Sequence, residues 1–505
     1  MSTSSRDEEL SSPSLENGHS ETTPLLQGQG PVIASNGTQT EAHPIDQQKG
    51  LLVTGTPDTS WKREARTIVI WSAPLIMTYL LQRSINMVGI FIVGRIGTKE
   101  LGAVSLSSIT TNMIGNHFIQ GLANTLDTLA AQAYGSGNKH LVGLHTQRMI
   151  CFILVCVVPL MVLWWMAEDI LVFIVPDREV VELAGNYLRI MILRMPAFVL
   201  FDCGRRFFQA QGIFHATTYV LLIAAPFNAF IMWLFVWHFG LGFVGAPIAI
   251  VITENLMVIL LFLYGWLING SQCWARLSRA IFKNWRPMIR LAVPGMIMHI
   301  TEFATEEALT LAAARFGTAQ LAAQSALVTL VSTTYIVPLG VSMAASIRVA
   351  NWIGAEATSA AKFSARVAVV FGIILSTINT VLLGSLRYKV PYLFTHDTEV
   401  IDILVKAIPI ITIMQTFDTM AAFSHGLLRS IGCQEFAGYL NLVVYYAIAL
   451  PISFCTAFLA GWKLYGLWAG MTSGLCIVSV VEFWWLYRSD WDHAVNEAVR
   501  RNESG

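Results

Sequence analysis

The chain has 505 residues, of which 54% are hydrophobic and only 13% are charged, and its formal net charge is zero. Soluble domains carry about 25% charged residues, so this composition excludes an ordinary water-soluble globule and favours a membrane protein. The balanced charge also removes the electrostatic case for nucleic acid binding.

Residues 1–65 differ from the rest of the chain, because Ser, Thr, Gly, Pro, Gln and Glu dominate and no apolar run is long enough to bury. We expect a disordered cytoplasmic tail. It lacks the basic region and apolar core of a secretory signal peptide, so the first membrane helix is expected to direct insertion. The stretch ETTPLL, which ends at Leu25 and Leu26, resembles the acidic dileucine signal and predicts recognition of this pair by adaptor complexes.

From Thr67 onward, apolar segments of about 20 to 30 residues recur, and each is long enough to cross a hydrocarbon core of about 30 Å. The sequence therefore predicts an all-α polytopic membrane protein with twelve transmembrane helices. The predicted spans are 67–94, 101–123, 145–167, 182–208, 216–238, 243–268, 287–315, 320–346, 364–386, 399–428, 435–460 and 464–487.

Both termini are predicted to be cytoplasmic. An even number of spans puts them on one side of the membrane, and the distribution of Lys and Arg selects the side. With the N-terminus inside, the cytoplasmic segments hold 19 Lys and Arg residues and the opposite connectors hold seven. The sequence leaves the vacuolar and plasma membranes open, and the dileucine-like stretch favours the vacuole.

An internal repeat relates the two halves of the chain at an offset of about 220 residues. Six spans per half keep the same orientation, so we expect two six-helix lobes related by a parallel repeat, with a site between them near the membrane midplane. The expected organisation is an N-lobe over 66–268, a basic cytoplasmic linker over 269–286, a C-lobe over 287–488 and a cytoplasmic C-terminal tail over 489–505. The matched positions include Pro74 with Pro294, Leu101 with Leu321, Gly121 with Gly340, Gly135 with Gly354 and Gly212 with Gly432.

Acidic residues inside the spans are candidates for function. A charged group at a helix centre costs about 2.5 to 3.5 kcal/mol on insertion scales, so a retained acid is expected to face a water-filled cavity or a partner. Asp202, Glu254, Asp402 and Glu482 lie near span ends or near Arg, and we expect structural pairing for them. Asp127, just beyond the second span, fits either a cavity acid or a solvated charge at a helix end.

The seventh span carries the densest group, with His299, Glu302, Glu306 and Glu307 within nine residues. Carboxylates crowded in a medium of low dielectric cannot all stay ionised. At 100° per residue, His299, Glu302 and Glu306 share one helix face and Glu307 lies about 140° from Glu302. Either the helix bends near Pro294, or Glu306 and Glu307 serve different surfaces.

Asp418 lies in the middle of the tenth span, and the nearest basic residues in sequence are Lys406 and Arg429. We therefore interpret Asp418 as a cavity acid and not as a member of a structural ion pair.

Four long segments, in order, resemble the signatures of the eukaryotic multidrug and toxic compound extrusion (MATE) transporters, most closely the fungal members. The resemblance covers about 65–488. The segments are VGRIGTKELGAVSL from Val93, GLANTLDTLAAQAYG from Gly121, YIVPLGVSMAASIRVAN from Tyr335 and GLLRSIG from Gly426.

The resemblance implies two lobes in a V that exchange H⁺ or Na⁺ for an organic, usually cationic, substrate. It places the paired acids of the seventh helix at Glu302 and Glu307 and the acid of the tenth at Asp418. It also places Gln82 and Tyr335 near the cavity. Aromatic residues commonly follow the first acid, where this chain has Phe303 and Ala304, and the eighth-helix acid of some animal members has no counterpart within 320–346.

Together these observations predict a secondary antiporter that exports organic cations in exchange for protons by alternating access, acts as a monomer and needs no cofactor or metal. Na⁺ coupling stays open. An exporter or flippase of a lipid-linked or secondary-metabolite substrate is the alternative, and it would need a basic cavity. A membrane hydrolase with a Glu302 and Asp418 dyad is a further alternative, although no nucleophile or metal motif accompanies it, and the seven cysteines have no metal-site spacing.

Overall fold

The computed structural model describes residues 60–173 and 177–503, and within these residues the regular structure is entirely helical. Twelve helical segments follow the predicted spans, and a thirteenth helix comes after them. Their bounds are α1 Trp61–Val93, α2 Thr98–Thr110 continued by Thr111–Asn116, His117–Ala123 and Leu126–Gly135, α3 Lys139–Trp165, α4 Arg178–Met191 and Arg194–Ala210, α5 His215–His238, α6 Gly242–Leu267, α7 Arg286–Ala314, α8 Thr318–Gly354, α9 Thr358–Ser385, α10 Thr398–Ser430, α11 Gln434–Leu459, α12 Lys463–Arg488 and α13 Trp491–Glu503.

Among the described residues, nine helices are long and apolar enough to span a membrane, or ten if the two parts of α4, bent by 52°, count as one. The two that fall short are α2 and α7. The first is interrupted by a π-helical stretch at Thr111–Asn116 and a break after Ala123. The second carries Arg286, Arg290 and three Glu residues, so its polarity hides a continuous 29-residue helix.

The predicted boundaries need three corrections. The tail was expected to reach residue 65, but α1 begins at Trp61, with the Ser60 hydroxyl as its cap. The second span was expected to end at 123, whereas α2 continues to Gly135, so Asp127 lies within its last segment. The segment 489–505, expected as a tail, contains α13, which buries Trp491 against the body of the protein. The disorder and adaptor predictions for the N-terminal tail lie outside the described residues.

The first described turn of α1 and the last helix, α13, both pack on α9 at one face of the bundle, which we call the terminal side. There α13 packs against the ends of α2 and α8, and the Arg501 Nη2 atom donates a hydrogen bond to the Gln132 Oε1 atom, 3.1 Å away. On the same side the linker docks on α3 instead of hanging free, because the Gln147 Nε2 atom donates to the Ala275 carbonyl at 2.6 Å.

The two halves of the chain touch on the terminal side through backbone contacts that repeat with the sequence. A methyl group at Gly135 would lie 2.0 Å from the Asn351 carbonyl oxygen, and one at Gly354 would lie 1.9 Å from that of Gln132. Only glycine permits such an approach. Because 135 matches 354 and 132 matches 351 in the repeat, the same contact is made twice.

A second pair of such contacts lies deeper in the bundle. A Cβ atom at Gly121 of α2 would be 2.7 Å from the Met296 Cα atom of α7, and one at Gly340 of α8 would be 2.6 Å from the Ile76 Cγ1 atom of α1. These positions are again matched in the repeat. The two halves therefore pack α2 on α7 and α8 on α1 in the same way.

Candidate functional site

The acids of α7 and α10 meet in the C-terminal half. Glu302 and Glu306 interact electrostatically with Asp418, and we call these three residues the central carboxyl cluster. Helix α7 is continuous through Pro294 and presents Glu302 and Glu306 on one face, half-buried, while Asp418 is buried. Across the described residues, none of their carboxylates forms an ion pair within 4.0 Å, so this charge is free to bind a proton or a cation.

The structure separates Glu306 from Glu307. Glu306 interacts electrostatically with Glu302, Glu307 and Arg83 of α1, whereas Glu307 is not among the groups that face Asp418. Helical spacing favoured Glu306 and the family resemblance favoured Glu307. The geometry brings Glu306 to the other two acids.

Two tyrosines border the central carboxyl cluster. Tyr335 of α8, which the resemblance placed near the cavity, interacts electrostatically with Glu302 and Asp418. Tyr445 does the same, and its hydroxyl is buried without a hydrogen-bond partner in the described part of the chain. Tyr445 was missed, because it lies in an apolar run and nothing in the sequence reveals its π-helical stretch, Val444–Ala449.

A buried His and Glu pair lies two turns from Asp418. The His425 Nε2 atom is 3.2 Å from the Glu482 Oε1 atom of α12, and the Ser424 hydroxyl donates to the other Glu482 oxygen at 2.6 Å. Structural pairing was expected for Glu482. The partner is His425, which the sequence analysis passed over because a single His within an apolar helix carries little signal.

His299 faces α2. Its Nε2 atom is 3.5 Å from the Gln120 Oε1 atom, and its ring meets the ring of His117 edge to face with centroids 5.4 Å apart. His117 also stacks on Phe303, with centroids 3.6 Å apart and planes 14° apart. His299 and Phe303 therefore join the two halves, and the aromatic ring after Glu302 is engaged by His117.

Asp127 belongs to a different place. It is buried on the terminal side, where its Oδ2 atom lies 2.5 Å from the Arg206 Nη1 atom and 3.2 Å from the Arg429 Nη1 atom. Asp127 is not a solvated charge, because it is buried and paired with two guanidinium groups. Its interpretation as a cavity acid stays a prediction. Asp202 joins the group through Arg205 at 2.5 Å and Arg206 at 3.3 Å.

The other acids expected to pair do so. Glu254 is 2.9 Å from Arg194, and Asp402 is 2.6 Å from Lys406 at an exposed position. Gln82 is half-buried on α1 and forms no side-chain hydrogen bond within the described residues. Its neighbour Arg83, not singled out in the sequence, interacts electrostatically with Glu306 of the carboxyl cluster.

One ion pair between the halves was not anticipated. Arg348 of α8 holds Glu64 of α1 through two hydrogen bonds, of 2.7 and 3.0 Å, and both side chains are almost fully buried. Within 60–173 and 177–503, no group of three or more His, Cys, Asp and Glu side chains has the geometry of a metal site.

Comparison with known proteins identifies the fold. The sequence model of the MatE family matches twice, over 74–234 and 294–455, and the two matches begin at the offset of the internal repeat. The crystal structure of the eukaryotic MATE transporter AtDTX14 superposes with a TM-score of 0.82 at 27% identity, covering 88% of this chain and 99% of that one.

Relatives of known sequence agree. An uncharacterized transporter of Saccharomyces cerevisiae is 40% identical over 441 residues, which is 87% of this chain and 63% of that protein's length. The multidrug and toxin extrusion protein 2 of Mus musculus is 31% identical over 88% of this chain and 78% of its own. The prediction of a transporter and not an enzyme is confirmed. The chain therefore belongs to the MATE family of multi-pass membrane transporters, whose twelve transmembrane helices form two six-helix lobes, here α1–α6 and α7–α12.

Proposed function

We propose that this protein is a proton-coupled antiporter that exports organic cations. The observation that carries the proposal is the central carboxyl cluster, three acids of α7 and α10 that interact electrostatically and form no ion pair within 4.0 Å in the described residues. Such a site has negative charge to offer to a cation or to protons, and it competes for both.

The coupling follows from that competition. Protons that enter from the acidic side neutralise Glu302, Glu306 or Asp418 and weaken the attraction for a bound cation, which leaves. Loss of the protons on the other side restores the charge and the affinity for a new cation. Each ligand thus lowers the affinity for the other by the same factor, and exchange needs no covalent chemistry.

Alternating access requires the terminal side to open. In this structure it is closed by the Gly135 and Gly354 contacts and by two ion pairs between the lobes, Glu64 with Arg348 and Asp127 with Arg429. The state described here is therefore the one in which the central carboxyl cluster is shut off from the terminal side.

The test uses purified protein in liposomes, with rhodamine 123 as the fluorescent cation and a pH-sensitive dye inside. Under an imposed proton gradient, wild type is expected to move the cation in the direction opposite to the protons, with a corresponding change of the internal pH. Asp418→Asn is expected to lose at least about tenfold of both fluxes, because removing one charge of the cluster weakens both ligands. Asp402→Asn, on the same helix but exposed beside Lys406, is the matched control and should behave as wild type.

Each outcome decides something. Cation flux that depends on a Na⁺ gradient and not on the proton gradient would show that Na⁺, and not H⁺, is the coupling ion. An absence of gradient-driven flux in the wild type, for a panel of cations and under both gradients, would overturn the antiporter and bring forward the export of a lipid-linked or other metabolite.

The setting of this activity is also part of the proposal. The excess of Lys and Arg in the segments predicted to be cytoplasmic supports a cytoplasmic location for both termini, and the acidic lumen of a vacuole would supply the proton gradient. Binding of an adaptor complex to Leu25 and Leu26 would direct the protein to the vacuole. A monomer suffices, because one chain contributes both lobes.

A further inference from the structure

A separate cavity of about 320 Å³, lined by both polar and apolar side chains, lies in the N-lobe, away from the terminal side. It is bounded by α1, α2, α4, α5 and α6, and Thr329 of α8 lies at its edge. Three of its residues belong to the π-helical stretch of α2, a type of distortion that often marks functional sites. Its polar lining includes Arg83, Thr111, Asn116, Arg194, Asn228 and Glu254.

The cavity carries net positive charge. Arg194 pairs with Glu254 at 2.9 Å and donates to the Asn116 Oδ1 atom at 2.9 Å, so its charge is compensated. Arg83 forms no ion pair, because no carboxylate of the described residues lies within 4.0 Å of it. Its Nε atom is buried and has no hydrogen-bond partner in the same residues.

Two other side chains that are more than nine-tenths buried line this cavity with unpartnered polar atoms. They are Asn228, through its amide nitrogen, and Thr111, through its hydroxyl. A buried donor without a partner costs about 1 to 3 kcal/mol, so such donors mark places that a ligand can satisfy. Arg83, Asn228 and Thr111 together offer a cation and hydrogen-bond donors, the complement of an anionic oxygen.

Arg83 also connects the two lobes. It lines the N-lobe cavity and interacts electrostatically with Glu306 of the central carboxyl cluster. A positive site in one lobe and a negative site in the other therefore adjoin each other.

We propose that the N-lobe cavity is an anion-accepting subsite and that the preferred substrates are zwitterions. The carboxylate of the substrate binds at Arg83, Asn228 and Thr111, and its cationic end binds the central carboxyl cluster. The proposal rests on the proposed function and adds to it the charge pattern of the substrate. A purely cationic substrate leaves Arg83 and the buried donors unpaired, whereas a purely anionic one is repelled by Glu302, Glu306 and Asp418.

Two dyes that differ by one methyl group provide the test. Rhodamine 110 carries a free carboxylate beside its cationic xanthene, and rhodamine 123 is its methyl ester. Equilibrium binding to purified protein is measured by fluorescence polarisation, and the readout is the ratio of the two dissociation constants. Wild type is expected to bind rhodamine 110 about tenfold or more tightly than its ester, as expected for a charge-assisted hydrogen bond.

The deciding variant is Arg83→Gln, expected to reduce this preference at least about fivefold, because the amide donates but carries no charge. Arg66→Gln, at an exposed position on the same helix, is the control and should keep the preference. Thr111→Val, which is close in volume, is expected to reduce the preference by less and guards against misfolding of the Arg83 variant.

The proposal is overturned if wild type binds the two dyes equally, or if Arg83→Gln and Thr111→Val both retain the wild-type ratio. Binding is measured without a gradient, so it does not depend on proton coupling. Preferential binding of rhodamine 110 without gradient-driven transport would contradict the proposed antiport and leave the subsite supported. Proton-coupled transport with equal binding of the two dyes would support the antiport and overturn the subsite.

Discussion

At the scale of single residues, the acids in the membrane could be found from the sequence, but their partners could not. Asp418 and Glu302 stand out because charge at depth is costly and must have a reason. Whether an acid is paired depends on residues that are distant in the sequence, as Glu482 with His425 and Asp127 with Arg429 demonstrate. Periodicity within one helix contains no information about these contacts.

The buried pair of His425 and Glu482 leads to a prediction about stability. His425→Ala leaves the Glu482 carboxylate buried with only the Ser424 hydroxyl, and removing one hydrogen-bond partner of a buried polar group costs about 1 to 3 kcal/mol. We expect a clear fall in the midpoint of thermal unfolding in detergent. His493→Ala, which removes an exposed pair with Glu497, should leave the midpoint within error. Equal midpoints for the two variants would contradict the assigned contact.

At the scale of helices, hydrophobic length placed all twelve spans, and polar composition blurred two of them. The breaks in α2 were not predicted, because the single Gly115 within Thr111–Asn116 does not by itself indicate a π-helical stretch. The ends of α1, α2 and α13 were misplaced because their polar and charged residues look like connectors when only apolar runs are counted.

The close contact of α2 with α8 predicts a strong effect of one methyl group. Gly354→Ala would place a carbon 1.9 Å from the Gln132 carbonyl oxygen, so the helices must separate, at a cost of about 1 to 3 kcal/mol. Because this contact closes the terminal side, we expect faster labelling of a cysteine introduced in the cavity by a thiol reagent applied from that side. Gly384→Ala in α9, with no atom within 4 Å of the added carbon, is the control. Unchanged labelling in Gly354→Ala would show that the contact does not hold this side closed.

At the scale of the whole molecule, the two-lobe architecture was legible in the repeat, while the conformational state was not. The closed terminal side depends on ion pairs between lobes, and these join residues as distant as Glu64 and Arg348. The N-lobe cavity could not be predicted from the sequence, because its lining comes from six helices and Arg83 resembles any other basic residue of α1 until the lobes are assembled.

The ion pair of Glu64 with Arg348 predicts a shift between conformations. Glu64→Gln removes the charge that holds Arg348, so the state with a closed terminal side loses stability relative to the open one. We expect a longer mean distance between spin labels placed on the two lobes at the terminal side, measured by pulsed electron paramagnetic resonance. Glu179→Gln, which breaks the exposed pair with Lys99, should leave the distance distribution unchanged. If the distance distribution of Glu64→Gln is identical to that of the wild type, this ion pair does not stabilise the state with a closed terminal side.

The reciprocal glycine contacts have a consequence for how the protein tolerates change. Residue 121 contacts 296 as 340 contacts 76, and 135 contacts 351 as 354 contacts 132. Such reciprocal contacts are the pattern of an isologous dimer interface, formed here between the two halves of one chain. Within such an interface, each position has a counterpart in the other half, and the two counterparts contact equivalent neighbours. Substitutions along the lobe boundary should therefore be tolerated or rejected in matched pairs, so that a mutational scan of one half forecasts that of the other.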